Sequence, residues 1–284
     1  MGNIVVEANT AALDLLLEKV YRGTGHDFRG YKLGTVTRRL EGRLYATGTK
    51  THSEYMRFLD THPEEYQRLV DYLTICVSGF FRSSYTFQQV AGLVLPELVS
   101  HKRNLGDLHL RLWSTACAQG EEPYSIAILL ADFLGNHLGD FDISIYATDI
   151  NRQALDKAKA AIYSSQDVEN LPKAVLKRYL TCSDKGYLVN SNIRQMVNFS
   201  YFDLVSTATL PFKNLDLVFC CNVLIYLQRQ LQEQLLGMLY DALASLGYLI
   251  LGEAETLTGN LDGKLECLNS KARIYKKKGG VGDA

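Results

Sequence analysis

The sequence predicts an α/β protein with an all-helical N-terminal domain, a mostly parallel sheet flanked by helices, and a small inserted β-subdomain. Three observations predict this. Apolar residues recur at helical spacing up to about residue 90, and from Leu108 onward short β-rich runs alternate with helical segments. The third is length, since 284 residues accommodate a full α/β domain with a smaller one beside it.

In the first part, Leu13, Leu16, Leu17 and Val20 form one helical stripe, Leu40 and Leu44 another, and Tyr55, Phe58 and Leu59 a third. Tyr66, Leu69, Val70 and Leu73 form a fourth, and Gly23, Gly25, Gly48 and Pro63 punctuate the series. A further helix over Ser84 to Ser100 leads through HKRNLGD into the second domain. The expected division is therefore 1–90 and 91–284.

In the second part, LHLRLWST reads as the first strand, and a helix follows from Glu121 to Pro123 through YSIAILLADFL. ISIYATDI is the second strand, with Asn151 placed to cap the helix RQALDKAKAAIY. MVNFSYFDL, LDLVFCCNV and GYLILGEAE supply three later strands, and Leu231, Leu235, Leu239 and Leu243 mark a helix between Gln228 and Leu246. Between Tyr179 and Val197, strand-forming residues flank a Lys185-Gly186 turn signal, which predicts an inserted hairpin; the plainer alternative is a connecting loop. The tail KKKGGVGDA is expected to be disordered.

Composition excludes several functions. No apolar run is long enough to span a bilayer, and the N-terminus lacks the pattern of a secretory signal, so a soluble cytosolic protein is expected. The six cysteines form no C-x-x-C pair and the six histidines have no ligand spacing, which argues against a metal site or a disulfide framework. With a net charge of -1, no global field draws the chain to nucleic acid. Locally, Arg29, Lys32, Arg38, Arg39, Arg43 and Lys50 are opposed only by Glu41. Such a run is either a solvated helix face or a docking face for an acidic helical partner.

In an open α/β sheet, ligands sit at the carboxyl ends of the strands. After the first strand, Ser114, Ala116, Ala118 and Gly120 are small enough for backbone to approach a ligand. The second strand ends in Asp149, which can accept hydrogen bonds from ribose hydroxyls or, equally, cap a helix. Together they favour a nucleoside cofactor, either a nicotinamide dinucleotide or S-adenosylmethionine. The loop has no G-x-G-x-x-G, and Glu121 and Glu122 would repel a pyrophosphate while suiting a cationic amino group.

The runs LTICVSGFFR (73–82), WSTACAQGEEPYSIA (113–127), YATDI (146–150), CNVLIYL (221–227) and GYLILGEAE (247–255) resemble the ordered motifs of the CheR-type chemotaxis receptor methyltransferases. The N-terminal YKLGTVTRRLEGRL is similar to that family's basic helix. The resemblance implies a Rossmann-like S-adenosylmethionine-dependent methyltransferase domain that methyl-esterifies glutamates of chemoreceptor cytoplasmic helices. By motif position it assigns cofactor contacts to Cys76, Ser78, Arg82, Glu122, Asp149, Asp203, Leu204, Cys221 and Asn222, with Arg82 and Tyr226 nearest the transferred methyl group. It assigns receptor docking to Arg38, Arg39 and Arg43, and the short insertion resembles members that recognise receptor helices directly.

Four positions depart from the family pattern: Cys76 stands where Asn is usual, Ser78 for Thr, Asp203 often for Asn, and Cys221 often for Arg. A lost neutral hydrogen bond costs about 0.5 to 1.5 kcal/mol, so these changes imply weakened cofactor binding rather than none. They also keep open an alternative, a cofactor-sensing or receptor-binding module with reduced catalysis. A monomer is the default expectation.

Overall fold

The computed structural model describes residues 2–205, 210, 212–259, 261 and 263–279. The chain divides into two compact units, one of residues 1–75, 203–208 and 226–231 and one of the remainder.

The first unit holds α1 (Gly2–Thr24), α2 (Leu33–Thr47), α3 (His52–Thr61) and α4 (Glu64–Leu73). The apolar stripes read from the sequence meet in one core, with Leu16, Leu40, Tyr55 and Leu69 fully buried and Phe58 and Tyr66 packed partly buried against it. Burying each such side chain contributes about 1.5–3 kcal/mol. The helix ends follow local chemistry. Gly48 takes a left-handed φ of 72° to close α2, and the Thr51 hydroxyl accepts from the Glu54 N–H to open α3.

This core encloses a charge. Glu65, only 1% exposed, accepts from Arg43 Nε (2.9 Å to Oε1) and Nη2 (2.7 Å to Oε1, 2.8 Å to Oε2) and from the Tyr55 hydroxyl (2.7 Å). One turn earlier, Arg39 Nε donates to the Tyr72 carbonyl at 2.6 Å, and both guanidiniums lie over the Tyr72 ring. Gly42 makes room for this, since a Cβ there would sit 2.5 Å from the Tyr72 hydroxyl oxygen. Arg43, read from the sequence as a docking cation, pairs here with a buried carboxylate 22 residues away. Arg38 is exposed.

The second unit begins at Cys76 rather than near residue 90. Phe80, Phe87, Val90 and Val94 are buried in the same core as the sheet residues, which moves the boundary towards the N-terminus. Helix α5 (Ser84–Gln89) runs through a π turn (Val90–Val94) into α6 (Leu95–Leu105). Then follow β1 (His109–Ser114), α7 (Glu121–Leu134), β2 (Asp142–Asp149), α8 (Arg152–Ala160), β3 (Ile162–Tyr163), α9 (Lys173–Tyr179), β4 (Leu180–Ser183) and β5 (Gly186–Val189). The remaining elements are α10 (Ser191–Arg194), β6 (Val197–Tyr201), β7 (Leu215–Cys220), α11 (Arg229–Ala242), β8 (Leu243–Leu251), β9 (Leu265–Asn269) and β10 (Ile274–Lys277).

The main sheet has the order β6-β2-β1-β7-β8-β10-β9. Its first five strands are parallel, while β10 runs antiparallel to both β8 and β9. The strand order reverses between β1 and β7, so the carboxyl ends of these two strands flank the crevice where α/β sheets bind ligands. The expected hairpin is present as β4 and β5 but is joined by β3 into a three-stranded sheet, and Val197 belongs to the main sheet instead. The helix expected to reach Leu246 ends at Ala242, with Leu243 already in β8.

The β9–β10 hairpin was not anticipated. Lys276 and Lys277 lie in β10, and Lys277 Nζ donates to the carbonyls of Tyr240 (3.0 Å) and Leu243 (2.9 Å). The disordered tail expected from Lys276 is thus a strand at its start, and residues 280–284 lie outside the described residues.

Removing Arg43 would leave Glu65 with the Tyr55 hydroxyl and Arg68 at 4.0 Å, so the cost lies towards the lower end of the range of about 3–5 kcal/mol for a broken buried pair. Arg43→Ala is expected to lower the urea-unfolding midpoint correspondingly. A loss below about 1 kcal/mol would return Arg43 to the class of surface cations.

Candidate functional site

The crevice in the second unit is built from strand ends. Asp149 closes β2 with its side chain 7% exposed, and accepts from the backbone N–H groups of Ala118 and Asn151, both at 2.8 Å. Burial raises its pKa above the usual carboxylate range, and these hydrogen bonds offset only part of that rise. Asn151 caps α8 by accepting from the Ala154 N–H at 2.9 Å, as the sequence suggests. The β1–α7 loop is held by Cys117 N–H donating to the Thr148 carbonyl and Thr115 N–H to the Phe219 carbonyl. Gly120, at φ 95°, opens α7, and a Cβ there would lie 2.9 Å from both the Ala158 Cβ and the Tyr163 hydroxyl oxygen.

Two carboxylates follow in the first turn of α7. Glu122 accepts from the Ser114 hydroxyl at 2.7 Å, and the Cys221 thiol reaches the Ile250 carbonyl at 3.9 Å. Burial pushes the Glu122 pKa up to about 7, with the Glu255 charge adding to the rise and Ser114, Cys221 and Arg82 opposing it. Glu121 is 6% exposed and its Oε2 meets no donor among the described residues. Burial raises its pKa as well, against a hydrogen bond from Ser78. Glu255, 3% exposed, stands after β8, a position that sequence reasoning placed in a motif without giving it a role.

Arg82 follows Phe81, whose left-handed φ of 48° is stabilised by its N–H donating to Ser125 Oγ at 2.9 Å; Ser125 in turn donates to the Glu121 carbonyl at 2.6 Å. The exposed Arg82 donates through Nη1 to the Val77 carbonyl at 2.7 Å. A groove of about 680 Å³ adjoins it, lined by Phe80, Phe81, Phe87, Leu129 and Val175 among others. Cys76 and Cys221 are half-buried, and Asn222 adopts a left-handed φ of 61°.

Of the positions assigned by motif, the structure gathers Ser78, Arg82, Glu122, Asp149, Cys221 and Asn222, with Cys76, in the second unit. Asp203, Leu204 and Tyr226 group with the first unit. There Asp203 accepts from the Val205 N–H at 2.9 Å, Leu204 is buried, and the Tyr226 carbonyl accepts from the Lys32 N–H at 2.8 Å. Among the described residues no cluster of His, Cys, Asp and Glu forms a metal site, and no helix is long and apolar enough to cross a membrane.

The crevice is thus rich in carboxylates with Arg82 as the cation that the Glu122 side chain senses. Such a site rejects a pyrophosphate and suits a cationic ligand. Comparison with known proteins agrees. Residues 77–274 match the model for the CheR methyltransferase SAM binding domain, and residues 11–74 match that for the CheR methyltransferase all-alpha domain. The chain belongs to the CheR methyltransferase family. A chemotaxis protein methyltransferase of Borreliella burgdorferi is 31% identical over 262 residues, covering 91% of this chain and 92% of that protein. A putative methyltransferase Cher3 of Pseudomonas putida is 34% identical, covering 95% and 98%, and a chemotaxis protein methyltransferase of Escherichia coli is 32% identical, covering 84% and 82%.

This CheR-family chain is a methyltransferase that uses S-adenosylmethionine, and its residues fit that cofactor. The unpartnered Glu121 oxygen and the underneutralised Glu122 answer a ligand carrying a sulfonium and an ammonium, and Asp149 stands where a ribose is bound in such sheets.

The raised Glu122 pKa has a sign that can be measured on the ligand-free protein. A carboxyl whose folded-state pKa of about 7 exceeds the ordinary 4.5 favours folding only while protonated. Its contribution is lost as pH rises from about 4.5 to about 7. Glu122→Gln is therefore expected to be more stable than the parent near pH 8, by about 3 kcal/mol, and equal to it near pH 4. Calorimetric melting without ligand checks this; no alkaline gain would mean that Glu122 is not held against ionisation.

Proposed function

We propose that this methyltransferase forms methyl esters on glutamate side chains of chemoreceptor cytoplasmic helices. The observation that carries the reading is the pairing of a carboxylate-lined crevice with one exposed guanidinium, Arg82. The carboxylates accommodate a cationic methyl donor, and the guanidinium accommodates an anionic acceptor. The names of the B. burgdorferi and E. coli relatives support the chemotactic context.

S-adenosylmethionine, when bound, supplies a methyl group on a sulfonium whose electron pair returns to sulfur. A glutamate acceptor is ionised near neutral pH and needs no general base. The new O–CH₃ bond forms as the S–CH₃ bond breaks, and both formal charges disappear. Orientation then dominates, and holding two reactants in line supplies about 7 to 11 kcal/mol of the barrier. In this reading Arg82 grips one oxygen of the acceptor while the other attacks, its direction set by the Phe81 turn and the Val77 carbonyl. Glu122 holds the cofactor's ammonium, Asp149 its ribose, and Cys76, Ser78, Cys221 and Asn222 line the remainder. Asp203, Leu204 and Tyr226 keep their proposed roles by motif position.

The deciding experiment incubates the purified protein with methyl-labelled S-adenosylmethionine and receptor cytoplasmic fragments. Base-labile methyl label on glutamates is expected, and Arg82→Ala should lower kcat by about 10²-fold or more through lost orientation. Cofactor binding without any base-labile label would defeat the ester reading.

Receptor docking is proposed to use Arg38 and Arg39 of α2, with Arg43 left to its internal pair. Arg38→Glu is expected to slow receptor methylation several-fold at low salt, to weaken its salt dependence, and to leave S-adenosylhomocysteine affinity unchanged. Unaltered methylation rates at low salt would refute this docking face.

A further inference from the structure

Glu255 lies in the last recognised motif, after β8, yet neither the motif nor the proposed chemistry gives it a task. It is 3% exposed, and its carboxylate is met by three backbone N–H groups rather than by a cation. Oε2 accepts from Gly252 at 2.7 Å and from Asn222 at 2.9 Å, and Oε1 accepts from Ile225 at 3.2 Å. Glu255 also donates its own N–H to the Gly252 carbonyl at 2.8 Å, closing the turn that carries it. The two donors from the other loop, Asn222 and Ile225, bracket the segment that leaves β7. One of them, Asn222, holds a left-handed φ of 61°, a conformation that asparagine adopts more readily than other non-glycine residues and that the Glu255 contact holds in place.

Gly252 is part of the same arrangement. A Cβ at that position would lie 2.7 Å from Glu255 Oε2, 2.9 Å from the Asn222 nitrogen and 3.0 Å from Asn222 Nδ2. The close approach of the two loops therefore needs both a carboxylate and the absence of a side chain. What it fixes is the position of Cys221 and Asn222, and the Cys221 thiol is one of the groups that oppose the rise of the Glu122 pKa.

We infer that Glu255 is a positioning residue that clasps the β7 loop to the end of β8 and so holds Cys221 and Asn222 in the geometry that receives S-adenosylmethionine. It acts through the backbone of the loop. The inference rests on the cofactor and not on the identity of the methyl acceptor, so its test is independent of receptor methylation.

The test compares the full chain with Glu255→Gln, Glu255→Asp and Gly252→Ala. Backbone hydrogen exchange in the ligand-free protein reads the clasp directly. Protection at the Asn222, Ile225 and Gly252 amides should fall by at least about tenfold in the Gln variant, while amides in the centre of β1 and β2 keep theirs. Calorimetric titration should show S-adenosylmethionine and S-adenosylhomocysteine affinity lowered by at least about tenfold, with partial recovery in Glu255→Asp and the same loss in Gly252→Ala.

A second readout separates positioning from general support of the fold. The groups facing Glu122 are Ser114 on β1, Cys221 after β7, Glu255 after β8, and Arg82. Removing the Glu255 charge removes a neighbour that holds the Glu122 proton on, so the acid limb of cofactor binding should move to lower pH in Glu255→Gln and stay in place in Gly252→Ala. Unchanged amide protection and affinity in folded Glu255→Gln would overturn the inference. So would a Gly252→Ala variant that binds the cofactor as the parent does.

Discussion

The constraint on which the second unit depends is the burial of carboxylates at the strand ends with too few cations to neutralise them. Asp149 and Glu255 are handled by backbone, the first by two N–H groups and the second by three. Such donors offset part of the desolvation cost, although burial still raises the Asp149 pKa. Glu121 and Glu122 are not so well provided for: one oxygen of Glu121 has no donor, and Glu122 has a hydroxyl, a thiol and a like-charged neighbour. Both also sit in the first turn of α7, where the helix dipole favours an anion. That field is worth about 0.3–1 kcal/mol, whereas desolvating a carboxylate costs several, so burial prevails and both pKa values rise. Stability alone would not select this arrangement. A cationic ligand that completes the pairing does explain it.

The same reasoning orders the pieces around the crevice. Each carboxylate is only as useful as the loop that holds it, and these loops are tied by hydrogen bonds to their backbone N–H groups. Cys117 and Thr115 pin the β1–α7 loop to the neighbouring strands, Ser125 pins the turn carrying Arg82 to α7, and Glu255 pins the β7 loop to β8. Ser125, Trp113 and Thr148 are fully buried. The run from Trp113 to Ala127 thus holds, besides Glu121 and Glu122, several groups that fix the loop.

What the sequence made legible was local. Strands β1, β2, β6 and β7 follow from their β-rich runs, the Asn151 cap from its place before RQALDKAKA, and Asp149 from the end of its strand. The helical core follows from four stripes of period 3.6. What stayed hidden was pairing at long range. Nothing near Arg43 announces Glu65, and nothing near Glu255 announces Asn222, because each partner is an ordinary polar residue until the chain has folded. The β9–β10 hairpin was missed because its strands are short and charged, and three consecutive lysines read as a solvated tail although Lys277 reaches two carbonyls. The domain boundary was set too late because the helical spacing of Phe87, Val90 and Val94 says that a helix is there without saying which core it enters.

The departures from the family pattern can be weighed on the same footing. Cys221 replaces a frequent arginine beside Glu122, and a thiol brings no charge. An arginine there would have satisfied Glu122 from within the protein and lowered its pKa. With Cys221 in its place, the Glu122 carboxyl is held near 7 and its neutralisation is left to whatever cation the crevice admits. The substitution therefore does not simply remove a contact. In the proposed cofactor site, it leaves that carboxyl to be neutralised by the ligand rather than by the protein.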